Sequence, residues 1–94
     1  MPVSICVLLT ARPGREELLA DYEDQVLALL PHHDAHVAVR ARALEGPLTE
    51  VQLLEFASEQ TLADFQNDPR RVALSKTRDA AIASTTVIRI EPVS

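Results

Sequence analysis

Four side chains in this 94-residue chain have the types and positions to hold an organic anion: His36, Arg40, Arg42 and Glu55. Residues 36–44, HVAVRARAL, alternate with period two. That pattern puts Val37, Val39, Ala41 and Ala43 on one face of a strand and His36, Ala38, Arg40 and Arg42 on the other. Folding the strand back around the turn at residues 46–49 sets Arg40 near Glu55 on the next strand, since directly opposed residues share a face about 4.5–5.5 Å apart. A guanidinium fork suits a carboxylate or enolate. Arg40, Arg42 and Glu55 therefore read as ligand-binding residues, with His36 at the rim as a candidate general base. The competing reading is a cross-strand Arg–Glu pair that only fixes register, and such pairs are common in sheets.

Other chemistry-bearing residues give weaker patterns. His32, His33 and His36 suggest a metal cluster, but adjacent residues on a strand point apart, and the stretch after Pro31 offers no i, i+4 pair. No metal is expected. Gly14 and Gly46 are the only glycines, too few for a phosphate-cradling loop. Cys6 is a single cysteine inside an apolar run, where a thiol is usually a small buried hydrophobe. Tyr22 falls on a helical apolar stripe and reads as core with its hydroxyl at the edge. Arg78 near a helix end reads as favouring the helix dipole.

The elements that must position these groups follow from periodicity. Residues 4–10, SICVLLT, form a β-rich run without strict alternation, as in a strand covered on both faces. From 15 to 30, Leu18, Leu19, Tyr22, Val26, Leu29 and Leu30 make one helical stripe, with Glu16, Glu17, Asp21, Glu23 and Asp24 opposite; Pro31 stops the helix. The strand at 36–44 is followed, after Gly46-Pro47, by one beginning near Glu50. Ser58 is placed to cap a second helix carrying Leu62 and Phe65, which breaks and restarts at Asp68-Pro69. Residues 85–91 make a last strand, closed by Pro92. The order β-α-β-β-α-β is the ferredoxin-like, α+β arrangement: one domain over 1–94, a four-stranded antiparallel sheet with both helices on one face. The second sheet face also receives apolar side chains, and an uncovered apolar patch is unusual on a soluble monomer. A homodimer is expected.

Composition narrows the partners. A net charge of −5 argues against a nucleic-acid surface, and no uninterrupted apolar stretch approaches the roughly 18 residues of a membrane span. A cytoplasmic setting is expected. Two Phe, one Tyr and no Trp argue against a haem or flavin pocket, so no cofactor is expected.

Leu54-Glu55-Phe56-Ala57-Ser58, then Leu62, Phe65, Asp68-Pro69 and Arg78, resembles the pattern of a small bacterial family within the dimeric α+β-barrel superfamily, which also holds antibiotic-biosynthesis monooxygenases and muconolactone-isomerase-like enzymes. The aromatic usual just after the Asp-Pro corner is replaced by Arg71 and Val72. The histidine that many monooxygenase-like members carry near the second helix is absent. The resemblance implies a small dimeric barrel protein that binds or transforms a small aromatic or polyketide-like organic acid without a cofactor, as a monooxygenase, isomerase or cyclase. The alternative is a non-catalytic binding or assembly module.

Overall fold

In the first strand, β1 (Val3–Ala11), the side chains of Val3, Ile5, Val7 and Leu9 are buried while Ser4, Cys6, Leu8 and Thr10 are half-buried, so it does alternate. The computed structural model describes residues 2–91 and 93, and the closing role given to Pro92 lies outside them. The helix α1 (Glu16–Leu27) follows, then a 3₁₀ turn at Leu30–His33, β2 (Ala35–Arg42), β3 (Glu50–Phe56), α2 (Glu59–Gln66), α3 (Pro69–Val72), α4 (Ser75–Ala81) and β4 (Ile82–Ile90). All strand pairs are antiparallel in the order β2-β3-β1-β4. This is the expected βαββαβ fold.

Pro31 does not simply end α1. It sits in the first turn of the 3₁₀ segment, where its missing N–H leaves no bond unmade. Asp34 then takes the left-handed conformation (φ 50°) that short polar residues tolerate, turning the chain into β2. The second helix breaks twice. Ser58 caps α2 by accepting from Thr61 N (3.2 Å), and the Thr61 hydroxyl accepts in return from Ser58 N (3.1 Å). Asp68 is extended, as a residue before proline prefers, and its Oδ1 accepts from Arg70 N at 2.8 Å. The second break follows Val72, whose carbonyl accepts from the Ser75 hydroxyl at 2.5 Å, a local bond that competes with the helix ladder.

One irregularity overturns the alternation read from β2. Val37 opposes Leu54, but the register shifts before Val39, which opposes Leu53; Ala38 is the extra residue of a bulge. Because side chains alternate with period two, one inserted residue moves everything after it to the other face. Val37 thus points toward the helices, while Val39 and Ala41 point away. Arg40 opposes Gln52 and Arg42 opposes Glu50, not Glu55. Both arginines lie on the helix side of the sheet.

The core lies between sheet and helices: Ile5, Leu9, Leu19, Tyr22, Leu30, Leu54, Phe56 and Phe65 are nearly inaccessible. No element among the described residues covers the opposite face. Across it runs a row Val39–Leu53–Cys6–Ile88, one residue from each strand. Val39 and Ile88 are 46% and 45% exposed, with Ile90 nearby at 39%.

Asp68 ties the helical segment together. Besides its cap it accepts from the Arg70 guanidinium and from His33 Nε2 at 2.7 Å, and these bonds hold its carboxyl well below the usual carboxylate range. Asp68→Ala is expected to lower the denaturant midpoint more than Asp68→Asn, which keeps the capping oxygen. A carboxylate with a depressed native pKa stabilises the fold above the unfolded value and loses that contribution as pH falls. The gap between wild type and Asp68→Ala should therefore shrink on acidification below the ordinary aspartate range, which urea melts at several pH values would show.

Candidate functional site

The apolar stripe of α1 contains one acid. Leu19, Tyr22, Glu23 and Val26 stand at i, i+3, i+4 and i+7, so Glu23 belongs to the core-facing stripe and not to the acidic face with Asp21 and Asp24. It is 6% exposed. On β3 the same logic applies. Turning Leu54 and Phe56 inward also turns Gln52 and Glu50 inward, and both are buried. These facing polar groups form a chain of hydrogen bonds. Gln52 Nε2 donates to Glu23 Oε1 (2.7 Å) and to Glu50 Oε1 (3.0 Å). Glu50 also accepts from Arg40 Nε (2.5 Å), and the far end of the Arg40 guanidinium donates to Asp24 Oδ1 (2.5 Å) and to the Ala20 carbonyl.

Beside this chain lies a cavity of about 70 Å³ between helices and sheet. A single water needs roughly 10–15 Å³ of such space, so the cavity holds a molecule of a few heavy atoms. Val7, Leu9, Val26, Leu54 and Phe65 supply apolar wall; Tyr22, Glu23, Arg71 and Arg78 supply the chemistry. Burial pushes the Tyr22 hydroxyl and the Glu23 carboxyl up from their ordinary values; for Glu23 the Gln52 hydrogen bond opposes the shift and the nearby Glu50 charge adds to it. In each case the shift favours the protonated, hydrogen-bond-donating form relative to the same group in water. Arg71 stacks on Phe65, its Cζ 5.4 Å from the ring centroid, and donates from Nη1 to the Gln66 carbonyl. Its Nε is buried with no partner among the described residues. Leaving a buried charged donor unpaired costs about 1–3 kcal/mol or more.

The anion site expected from the sequence is not assembled. His36 and Glu55 do meet, with His36 Nε2 3.1 Å from Glu55 Oε1 at the exposed edge of the open face. Arg40 and Arg42 are on the opposite side, bordering an open groove with Glu16, Glu17 and Asp24. Arg40 is taken up by Glu50 and Asp24. The three histidines also part company: His33 turns to Asp68, His36 to Glu55, and His32 is exposed. No group of three possible metal ligands gathers among the described residues. Sequence reasoning missed Glu23, Gln52 and Arg71. The first two were legible from the i, i+4 spacing to Leu19 and from the alternation with Leu54; Arg71 stood out only as the replacement for an aromatic after the Asp-Pro corner, which carries no sign of its burial.

No protein-family model matches the chain, and no curated protein sequence matches it. Solved structures do. A Mycobacterium tuberculosis protein superposes with a TM-score of 0.81 at 14% identity, covering 100% of this chain and 97% of the other. A DABB-family protein with a ferredoxin-like fold from Mesorhizobium loti gives 0.73 at 18% identity over 99% and 98% of the two chains. A putative antibiotic biosynthesis monooxygenase from Nitrosomonas europaea gives 0.81 at 7% identity over 98% and 90%. The shared architecture is the ferredoxin-like α+β fold. At these identities the likeness concerns the fold alone, and the chemistry of the cavity has to be argued from its own side chains. No helix among the described residues is long and apolar enough to cross a membrane.

Proposed function

We propose that this protein binds a small organic acid in the cavity between its helices and its sheet, and that two copies join through their open sheet faces. The observation that carries the first part is the cavity lining, where the Arg71 and Arg78 side chains stand with Tyr22 and Glu23, whose hydroxyl and carboxyl burial pushes up from their ordinary values. Every one of these groups donates, and the fixed charges of Arg71 and Arg78 are positive. The complement is an anionic acceptor on a short apolar body. A cavity this size favours an acid of a few carbons over a polyketide. The putative monooxygenase among the structural neighbours is consistent with an organic ligand but carries no weight on which one.

The second part rests on the row Val39–Leu53–Cys6–Ile88 and its exposed neighbours, which a second sheet would cover. With no arginine on that face, its role is packing. Assembly and ligand binding then use opposite sides of one sheet and do not compete.

A thermal-shift comparison of acetate, propionate, butyrate and pyruvate with amines of equal size tests the ligand reading. A ligand at ten times its Kd adds about 1.4 kcal/mol, or about 5–10 °C for a domain this small. The acids should raise Tm on this scale and the amines should not. A flat response to every acid would leave only the assembly module.

A further inference from the structure

Glu23 is a residue the fold has no structural need to make acidic. It occupies a core position on α1, where leucine or glutamine would pack, and only one of its oxygens is engaged: Gln52, its one side-chain partner among the described residues, holds Oε1. The charged groups facing it are Glu50 on β3, Arg40 on β2 and Arg71 on α3, with Arg78 on α4 lining the same cavity. Arg40 is committed to Glu50 at 2.5 Å and to Asp24. Gln52 spans Glu23 and Glu50 through a single amide nitrogen. Two carboxyl groups thus share one amide, and only Glu50 has a cation in contact.

Building on the acid-binding reading above, we propose that Glu23 meets the ligand as a neutral carboxylic acid, donating its O–H to the ligand's anionic oxygen alongside Arg71, so that the site takes up a short monocarboxylate together with one proton. The proton belongs on Glu23 because its neighbour Glu50 already holds Arg40, and a second carboxylate 2.7 Å from the same amide nitrogen would be buried with no cation in contact. A ligand anion brought into the cavity strengthens the preference further, since like charges cannot both ionise there cheaply. The raised pKa of Glu23 agrees with this order of ionisation. The site then selects by charge. Monoanions are accepted with Glu23 neutral, whereas ammonium groups meet the positive charges of Arg71 and Arg78 on the cavity wall.

The test is calorimetric titration of butyrate between about pH 6 and pH 9, where the probe itself stays ionised. Wild-type affinity should fall about tenfold per pH unit above the midpoint of Glu23, the slope for one linked proton. Glu23→Gln supplies an N–H in place of the O–H and should bind butyrate with no slope over the same range. A ligand-free measurement runs beside it. A carboxyl with a raised native pKa keeps more protons in the folded state than in the unfolded one, so stability should fall as pH rises from 4.5 through the native midpoint. Glu23→Gln should remove that decline. Butyrate binding that is lost in Arg71→Met yet flat with pH in wild type overturns the role of Glu23 alone. A slope that persists in Glu23→Gln does the same. If wild type binds no acid at any pH, both the acid-binding reading and this proposal fall.

Discussion

Leu53→Lys should leave the chain folded but monomeric. Leu53 sits in the middle of the open face, between Val39 on one side and Cys6 on the other, and touches none of the helix-side core. In a single copy the lysine can extend along the surface and keep its ammonium in water, so the denaturation midpoint of the isolated fold should change little. In a two-fold dimer the same substitution appears twice, near one axis. Each unpaired ammonium taken out of water costs several kcal/mol, and two such costs exceed what an interface of about 1,200–2,000 Å² can absorb. Dimer affinity should weaken by a factor of at least about 10³. Sedimentation at micromolar concentration should read close to twice 10.3 kDa for wild type and close to 10.3 kDa for the variant. A wild-type monomer, or a variant that still sediments as a dimer, would place the interface elsewhere or remove it.

The second large effect is expected at Arg71, and it separates binding from stability. Replacing it with methionine removes a guanidinium whose Nε is buried without a partner, which relieves a cost of about 1–3 kcal/mol. The same change removes the stacking on Phe65, worth about 0.5–2 kcal/mol, and the bond to the Gln66 carbonyl. These terms offset one another, so the ligand-free protein should stay within about 1 kcal/mol of wild type. Acid binding should not. Losing the charged partner of a desolvated carboxylate costs about 2–5 kcal/mol, a drop of at least thirtyfold in affinity. The Tm rise given by a short acid should then disappear at concentrations that saturate wild type. An unchanged rise would move the anion away from Arg71, with Arg78 as the next candidate on the cavity wall.

Much of the fold was written locally. Residues 50–56 carry an apolar run too short for a helix, Ser58 and Asp68 are short acceptors placed just before helical turns, and residues 85–90 are rich in β-branched side chains; each lies where the structure places the corresponding element or cap. Caps and strand propensities depend on neighbours within a few residues, which is why they can be read from a chain without its partners. The apolar row on the open face was likewise implied by strands that had more apolar side chains than two helices could cover.

The site was decided by tertiary structure. The alternation of residues 36–44 was read correctly as a strand but assumed an unbroken ladder, and a single bulged residue, Ala38, carried Arg40 and Arg42 to the helix side. A bulge arises from the fit between two strands and leaves no mark on one strand's pattern. Glu23 was assigned to the acidic face of its helix because neighbouring acids suggested it, although its spacing to Leu19 placed it inward. The rise of its pKa depends on burial and on Glu50, which is 27 residues away in the chain and adjacent only after folding. Arg71 is marked in its own segment only as the residue standing where an aromatic is usual; that its Nε is buried without a partner among the described residues is a result of packing. Local spacing determined which elements form and where they are capped. Which charges end up buried, and which of them lack a partner, was determined by the packing of elements distant in sequence, because desolvation and hydrogen-bond satisfaction are properties of the assembled interior.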